Sequence, residues 1–283
     1  MAEARLRVAL VSQVAPIATA FTALIRELGH EPVAHIAIRR RKLDEAPPPG
    51  AEAFLAKLVV EGPQDVPLVF PSTRRQLTDL LRWLEPDLVV CFAFPWLIPA
   101  EALAVPPLGW VNCHPSLLPA YRGPTPISWA VRNGETEIGI TFHRMDATFD
   151  TGPILAQGSI PFEDDDTFDS LNLKAAPLAG RLLGEALERV TRGDEGEPQQ
   201  GGEYQSLFEE AYAYVDVGKP RAEVHRQVRA WSFTPFALGE RGAIVEDEGG
   251  RRRLLRTSLT QVEGAERLDC ADGPLWVLES EPA

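Results

Sequence analysis

The chain reads as an α/β protein, a mostly parallel sheet covered by helices on both sides, followed by a smaller β-rich C-terminal domain. Three observations predict this. Apolar runs alternate with helix-periodic segments from Leu6 to Ala93. A polar, glycine-rich stretch, 193–202, then interrupts the chain. Beyond it come a helical segment and several short strand-like runs.

The elements follow in order. Leu6 to Val11 has the continuous apolar character of a buried first strand. Ile17, Phe21, Leu24, Ile25 and Leu28 recur at helical spacing, and Gly29 closes that helix. Val33 to Ile38 predicts a second strand, and Pro47-Pro48-Pro49-Gly50 a stiff loop. Ala51 to Val60 reads as helix and Val66 to Phe70 as a short strand. Thr73 to Leu84 reads as helix, with Leu77, Leu80, Leu81 and Leu84 on one face. Pro86-Asp87 opens a buried strand, Leu88 to Ala93.

Gly109 to His114 predicts another short strand, ended by Pro115, which cannot donate to a ladder. Side chains alternate along it, so Asn112 and His114 share a face and Cys113 points the other way. Asn133-Gly134 forms a turn after the helix containing Trp129 and Ala130. Ile138 to His143 reads as a strand running into a loop that carries Asp146 and Asp150. If these two strands are neighbours, Asp150 can fold back toward His114. Thr167 to Arg192 predicts a long amphipathic helix with Asp164, Asp165 and Asp166 at its positive end. Arg221 to Trp231 predicts a further helix, and Ala243 to Glu246, Arg253 to Leu259 and Leu275 to Glu279 predict strands. The expected boundary puts a catalytic domain in 1–195 and the appended domain in 196–283.

Composition excludes some classes. The 283 residues are 45% hydrophobic, enough for a core. The formal charge is -13, with 28 Lys plus Arg against 41 Asp plus Glu. Residues 196–283 alone hold 10 Lys plus Arg against 16 Asp plus Glu, so a nucleic-acid partner is not expected. Two basic runs, Arg39-Arg40-Arg41-Lys42 and Arg251-Arg252-Arg253, read first as solvated loop or strand edge and second as phosphate contacts. Three cysteines without Cys-x-x-Cys, and no His-x-x-x-His pair, give no support to a disulfide framework or a metal site. No Gly-x-Gly-x-x-Gly follows the first strand, and no Walker-type motif occurs. No signal peptide or membrane-spanning run is visible, so cytoplasmic residence is the expectation.

The polar residues at the strand ends suit acyl transfer to an amine. The carbonyl oxygen gains negative charge and needs preorganised donors, which an Asn amide and a His supply. The amine must lose a proton, which calls for a base. A carboxylate beside His favours imidazolium. Asn112, His114 and Asp150 fill these roles without a metal. Ser116 lacks a nucleophile-elbow setting, so a serine hydrolase has little support.

The ordered set Asn112-x-His114, Ser116-Leu117-Leu118-Pro119-x-Tyr121-Arg122-Gly123, Asn133-Gly134-Glu135, Thr141-x-His143 and Asp150-Thr151-Gly152-Pro153-Ile154 resembles the folate-dependent formyltransferase superfamily. The resemblance implies a Rossmann-like sheet, 10-formyltetrahydrofolate as formyl donor, and a catalytic trio on Asn112, His114 and Asp150. It implies that the pterin lies between two loops, one carrying Phe92, Phe94, Trp96, Leu97 and Ile98, the other Met145, Asp146 and Thr148. Core packing is the competing role for the apolar members of that set, and loop ordering for Asp146. Ser116, Tyr121 and His143 are expected near the acceptor. The family often has Tyr-Gly or Phe-Ser where this chain has Phe94-Pro95. The acidic C-terminal part favours a small amine acceptor, a nucleotide-linked amino sugar or a hydroxyornithine-type amine. Methionyl-tRNA, water and a catalytically silent folate-binding module are the alternatives, and a homodimer is possible.

Overall fold

Strict alternation along each strand decides which helices cover which side of the sheet. The computed structural model describes residues 5–38, 51–233, 242–247 and 250–283. Strands β1 (Arg7–Ser12), β2 (Glu31–Ile36), β3 (Leu68–Val69), β4 (Leu88–Phe92), β5 (Trp110–His114), β6 (Glu137–Arg144) and β7 (Ile154–Pro161) form one sheet, in the order β3-β2-β1-β4-β5-β6-β7. The ladders from β3 through β5 are parallel, and β5–β6 is antiparallel. The fold class expected from the sequence is the one observed.

Contacts divide the chain into two units, one of Met1–Arg122, Gly139–Ser159 and Ala175–Glu203, the other of Gly123–Ile138, Ile160–Lys174 and Tyr204–Ala283. In the first unit, Val8, Leu10, Val90, Val111 and Cys113 point to one side of the sheet. There they meet Phe21 and Ile25 of α1 (Ala15–Glu27) and Leu182, Leu183 and Ala186 of α6 (Phe168–Thr191). Ala9, Val11, Val89, Cys91 and Trp110 point to the other side, against Leu77, Leu81 and Leu84 of α3 (Arg74–Leu84) and Ala102 of α4 (Ala100–Leu103). The helix α2 (Ala51–Glu61) contributes Leu58 to a smaller cluster with Ala15 and Ala37. Thr73 caps α3 by accepting from the Gln76 backbone N–H, which satisfies one orphan donor.

The second unit contains α5 (Pro126–Asn133), a 3-10 turn (Glu210–Ala213) and α7 (Arg221–Ser232). Its four-stranded antiparallel sheet comprises β8 (Ala243–Asp247), β9 (Gly250–Ser258), β10 (Glu266–Cys270) and β11 (Gly273–Pro282), ordered β10-β11-β9-β8. Trp129, Phe208, Tyr212 and Trp231 pack edge to face or stacked, and the Arg132 guanidinium lies 3.9 Å from the Tyr212 ring centroid. Glu209 holds Arg132 from the other side through two hydrogen bonds.

Most element boundaries match expectation within two residues. Strands β7 and β10, helix α4 and the 3-10 turn were not foreseen. Arg251–Arg253 lie on β9, where Arg252 pairs with Glu266 and Arg253 with Glu281. Arg39–Lys42 and Pro47–Gly50 lie outside the described residues. Among the described residues, no helix is long and apolar enough to cross a membrane.

Candidate active site

The site is assembled on one strand pair. Asn112 stands opposite His143, and His114 opposite Thr141, in the antiparallel register of β5 and β6. All four side chains share a face, while Val111, Cys113, Ile140 and Phe142 enter the core on the other. The loop after β6 returns across this face and brings Asp150 to it. The Asp150 carboxylate Oδ1 lies 3.5 Å from His114 Nδ1, 3.5 Å from the Asn112 amide nitrogen and 3.7 Å from His143 Nε2. The three residues expected to converge do so.

Hydrogen bonds assign the imidazole protons. His114 Nε2 sits 2.8 Å from the carbonyl oxygen of Tyr121, which can only accept, so Nε2 carries a proton. Nδ1 is then the atom turned to Asp150. His143 Nδ1 lies 2.8 Å from the Arg144 carbonyl and is likewise a donor, leaving Nε2 to accept from Asn112 at 3.1 Å. Burial pushes the His114 imidazole below its ordinary value, against the upward pull of Asp150 and the Tyr121 carbonyl. The carboxylate favours the charged form, but the loss of solvent outweighs it.

Beside the trio lies a cleft lined by Cys91, Phe94, Trp96, Leu97, Ile98, Asn112, His143, Met145, Asp146, Thr148, Phe149 and Asp150. Ala93 takes a left-handed backbone at φ 50°, which turns the chain sharply out of β4 into the Phe94–Ile98 wall. Trp96 and Ile98 are buried there, and Leu97 and Phe149 stand exposed. Phe92 is absent from this lining. As the residue after Cys91, it takes the opposite face and packs edge to face on Phe21. Asp146 is bound within its own loop, accepting from the Thr148 backbone N–H and from the hydroxyls of Thr148 and Thr151. Burial raises its carboxyl, but these donors and nearby His143 hold it below the ordinary range. The Cys91 thiol is pushed up by burial, then by Asp150 and Cys113, and stays protonated at neutral pH.

Two residues expected near the acceptor are also part of the framework of the site. Ser116 is buried and donates its hydroxyl to Ala120 O at 2.7 Å. Tyr121, at φ 58°, presents its main-chain carbonyl to His114. His143, also expected near the acceptor, lies on the wall of this cleft.

A network of hydrogen bonds supports the loop after His114. The buried Thr141 hydroxyl donates to Ser116 O at 2.6 Å and accepts from Leu118 N at 3.2 Å and from Gln157 Nε2 at 2.7 Å. Gln157 also donates to Leu118 O. Gly139 lets this loop lie on the sheet, since a Cβ there would meet Leu117 N at 2.2 Å. Thr141 was visible as a polar residue in an apolar strand, but its partners come from segments far away in the chain.

The sequence profile of a family described as Formyl transferase matches residues 48–187. The methionyl-tRNA formyltransferase of Pelobacter propionicus is 34% identical over 253 residues, 84% of this chain and 75% of that protein. That of Trichlorobacter lovleyi is 36% identical over 192 residues, 67% of this chain and 59% of that protein. Among solved structures, HypX from Aquifex aeolicus in complex with tetrahydrofolic acid superposes with a TM-score of 0.71 at 18% identity, covering 98% of this chain and 44% of that one. The sugar 3N-formyl transferase WlaRD, solved in the presence of dTDP and 5-N-formyl-THF, gives a TM-score of 0.63 at 16% identity, covering 97% of each.

Proposed function

The chain belongs to the folate-dependent formyltransferase superfamily and is an enzyme of it, and we propose that it moves a formyl group from 10-formyltetrahydrofolate to a primary amine at Asn112, His114 and Asp150. The meeting of those three side chains around one carboxylate oxygen carries the reading. When bound, the folate supplies an activated formyl carbonyl. The cleft fits it by chemistry, with Trp96, Leu97, Ile98 and Met145 to cover a flat heteroaromatic ring and polar groups at one end to meet its donors and acceptors.

The proton inventory suggests the roles. With Nε2–H committed to Tyr121, a neutral His114 turns a lone pair toward an ionised carboxylate. Two such atoms at 3.5 Å form a hydrogen bond only when a proton is placed between them. A Lys-like amine arrives mostly protonated, with an ordinary pKa near ~10.4. The His114–Asp150 pair would take that proton and free the nucleophile. Asn112 now spends its amide hydrogens on His143 and Asp150. A carbonyl oxygen entering the site would draw one of them, and that bond strengthens as negative charge develops.

For the acceptor, methionyl-tRNA comes first, supported by relatives 34% and 36% identical. This reverses the order expected from charge. A small amine is the second reading, supported by the 16 acidic against 10 basic residues in 196–283. We also take 1–195 as the catalytic domain and 196–283 as the appended one. The test offers 10-formyltetrahydrofolate with charged initiator methionyl-tRNA, nucleotide-linked amino sugars or hydroxyornithine, and identifies products by mass spectrometry. N-formylmethionyl-tRNA at physiological salt supports the first reading, and a formylated small amine alone the second. Formate alone points to hydrolysis. An undiminished donor in every reaction overturns formyl transfer.

A further inference from the structure

We propose that Arg122 and Gln199 are positioning residues for this reaction, forming one hydrogen-bonded clamp that fixes the loop carrying Asp150 to the loop that orients His114; the inference rests on the formyl-transfer reading above. The Gln199 amide nitrogen donates to Asp150 O at 3.0 Å and to Gly152 O at 2.7 Å. Its amide oxygen accepts from Arg122 Nε at 3.1 Å and Nη2 at 2.7 Å. A guanidinium only donates and a carbonyl only accepts, so the amide fits in one orientation alone. Both hydrogens and both lone pairs of Gln199 are then used.

What the clamp holds makes it more than a loop contact. Asp150 and Tyr121 both take left-handed backbones, at φ 56° and 58°. Such conformations are costly for residues other than glycine and persist where their surroundings over-determine them. Gln199 bonds the carbonyl of the first, and Arg122 follows directly after the second. The Tyr121 carbonyl fixes the His114 tautomer, so the clamp joins the His114 side of the site to the Asp150 side. Arg122 also reaches Gly202 O at 3.5 Å, a second tie to the segment that carries Gln199. The polarising guanidinium strengthens the amide as a donor toward the Asp150 loop.

Gln199→Glu tests this directly. It keeps an acceptor for Arg122 but removes the donors to Asp150 O and Gly152 O. The expected result is a kcat lowered on the order of 10- to 100-fold, as for a displaced reacting group, with KM for 10-formyltetrahydrofolate within about twofold. Arg122→Ala lowers kcat similarly, and Arg122→Lys, which keeps one donor, restores part of it. In an Asp150→Asn background, Gln199→Glu costs nothing further. NMR titration of the His114 imidazole, which faces Asp150 and His143, reads the clamp independently of turnover. Its midpoint falls in Gln199→Glu because the carboxylate moves away. Wild-type kcat in Gln199→Glu, or an equal loss in both backgrounds, overturns the proposal. If wild type shows no formyl transfer, the functional reading fails by itself; the His114 midpoint then decides the clamp, an unchanged value in Gln199→Glu overturning it.

Discussion

Asn112 faces His143 across the β5–β6 ladder, and its amide nitrogen lies 3.1 Å from the imidazole Nε2. The antiparallel register delivers this contact, and with it the orientation of the amide. Asn112 is thus held in one orientation before any ligand arrives, with its amide hydrogens on His143 and Asp150 beside the cleft.

Asp150→Asn should lower kcat by roughly 10²- to 10⁴-fold, the usual range for a group that handles a proton, while the melting temperature stays near that of wild type. The acid limb of the wild-type kcat profile is expected below ~6.5, the ordinary His value, because burial depresses His114. The Asp150 charge pulls the imidazole upward, so the acid limb of the Asn variant should lie lower still. Steady-state kinetics from pH 5 to 9 checks both (on the order of the range over which His titrates).

Thr141→Val keeps the shape of a buried side chain and deletes its hydroxyl. Ser116 O loses a donor and Leu118 N an acceptor in a place without easy access to water. Each unsatisfied group costs about 1–3 kcal/mol. Calorimetry should show a melting temperature lower by several degrees, together with a reduced kcat, since the Ser116–Leu118 loop follows directly on His114.

Gly139→Ala should perturb the same loop from below. The added Cβ falls 2.2 Å from Leu117 N and 2.5 Å from Ser116 C, both main-chain atoms with little freedom to yield. A loss on the order of 1–3 kcal/mol is expected from overpacking, read as a lower denaturation midpoint in urea at unchanged slope.

His225 is expected to make the second unit acid-sensitive. Buried beside Arg229 and bonded to the Thr257 hydroxyl at 2.8 Å, its imidazole is depressed to about 4 by burial first and the Arg229 charge second. Unfolded, it titrates near ~6.5. Between those values the unfolded chain binds a proton that the folded chain refuses. The stabilising contribution is therefore complete above pH ~6.5 and declines as pH falls toward about 4. His225→Gln should flatten that part of the stability profile, and melting curves at stepped pH measure it.

The apolar strands were legible because their composition and length leave few alternatives: Val8–Val11 and Leu88–Cys91 are buried on both faces in the way their sequence implies. Strand β10, Glu-Arg-Leu-Asp-Cys, was not legible, because one buried leucine among charges sets no pattern. β7 escaped because a strand packed on one face, with glycine and serine inside it, alternates only weakly. Asn112 and His114 could be picked out as polar groups where a strand ends, and Asp150 joined them through the resemblance its motif carries. Thr141 stood out only as part of a motif and Gln157 and Gln199 not at all, since an amide or hydroxyl in a sequence does not name its distant partner. The reversed direction of β6 was also invisible, although it decides that His143 meets Asn112.

Tyr121 holds His114 through its main chain, from a left-handed dihedral. For that task, inheritance has to preserve a direction of the peptide and not the chemistry of a ring. Asparagine, aspartate or glycine would serve the imidazole as well. The imidazole therefore answers to a backbone dihedral seven residues on, and a change at position 121 reaches it only by turning that peptide.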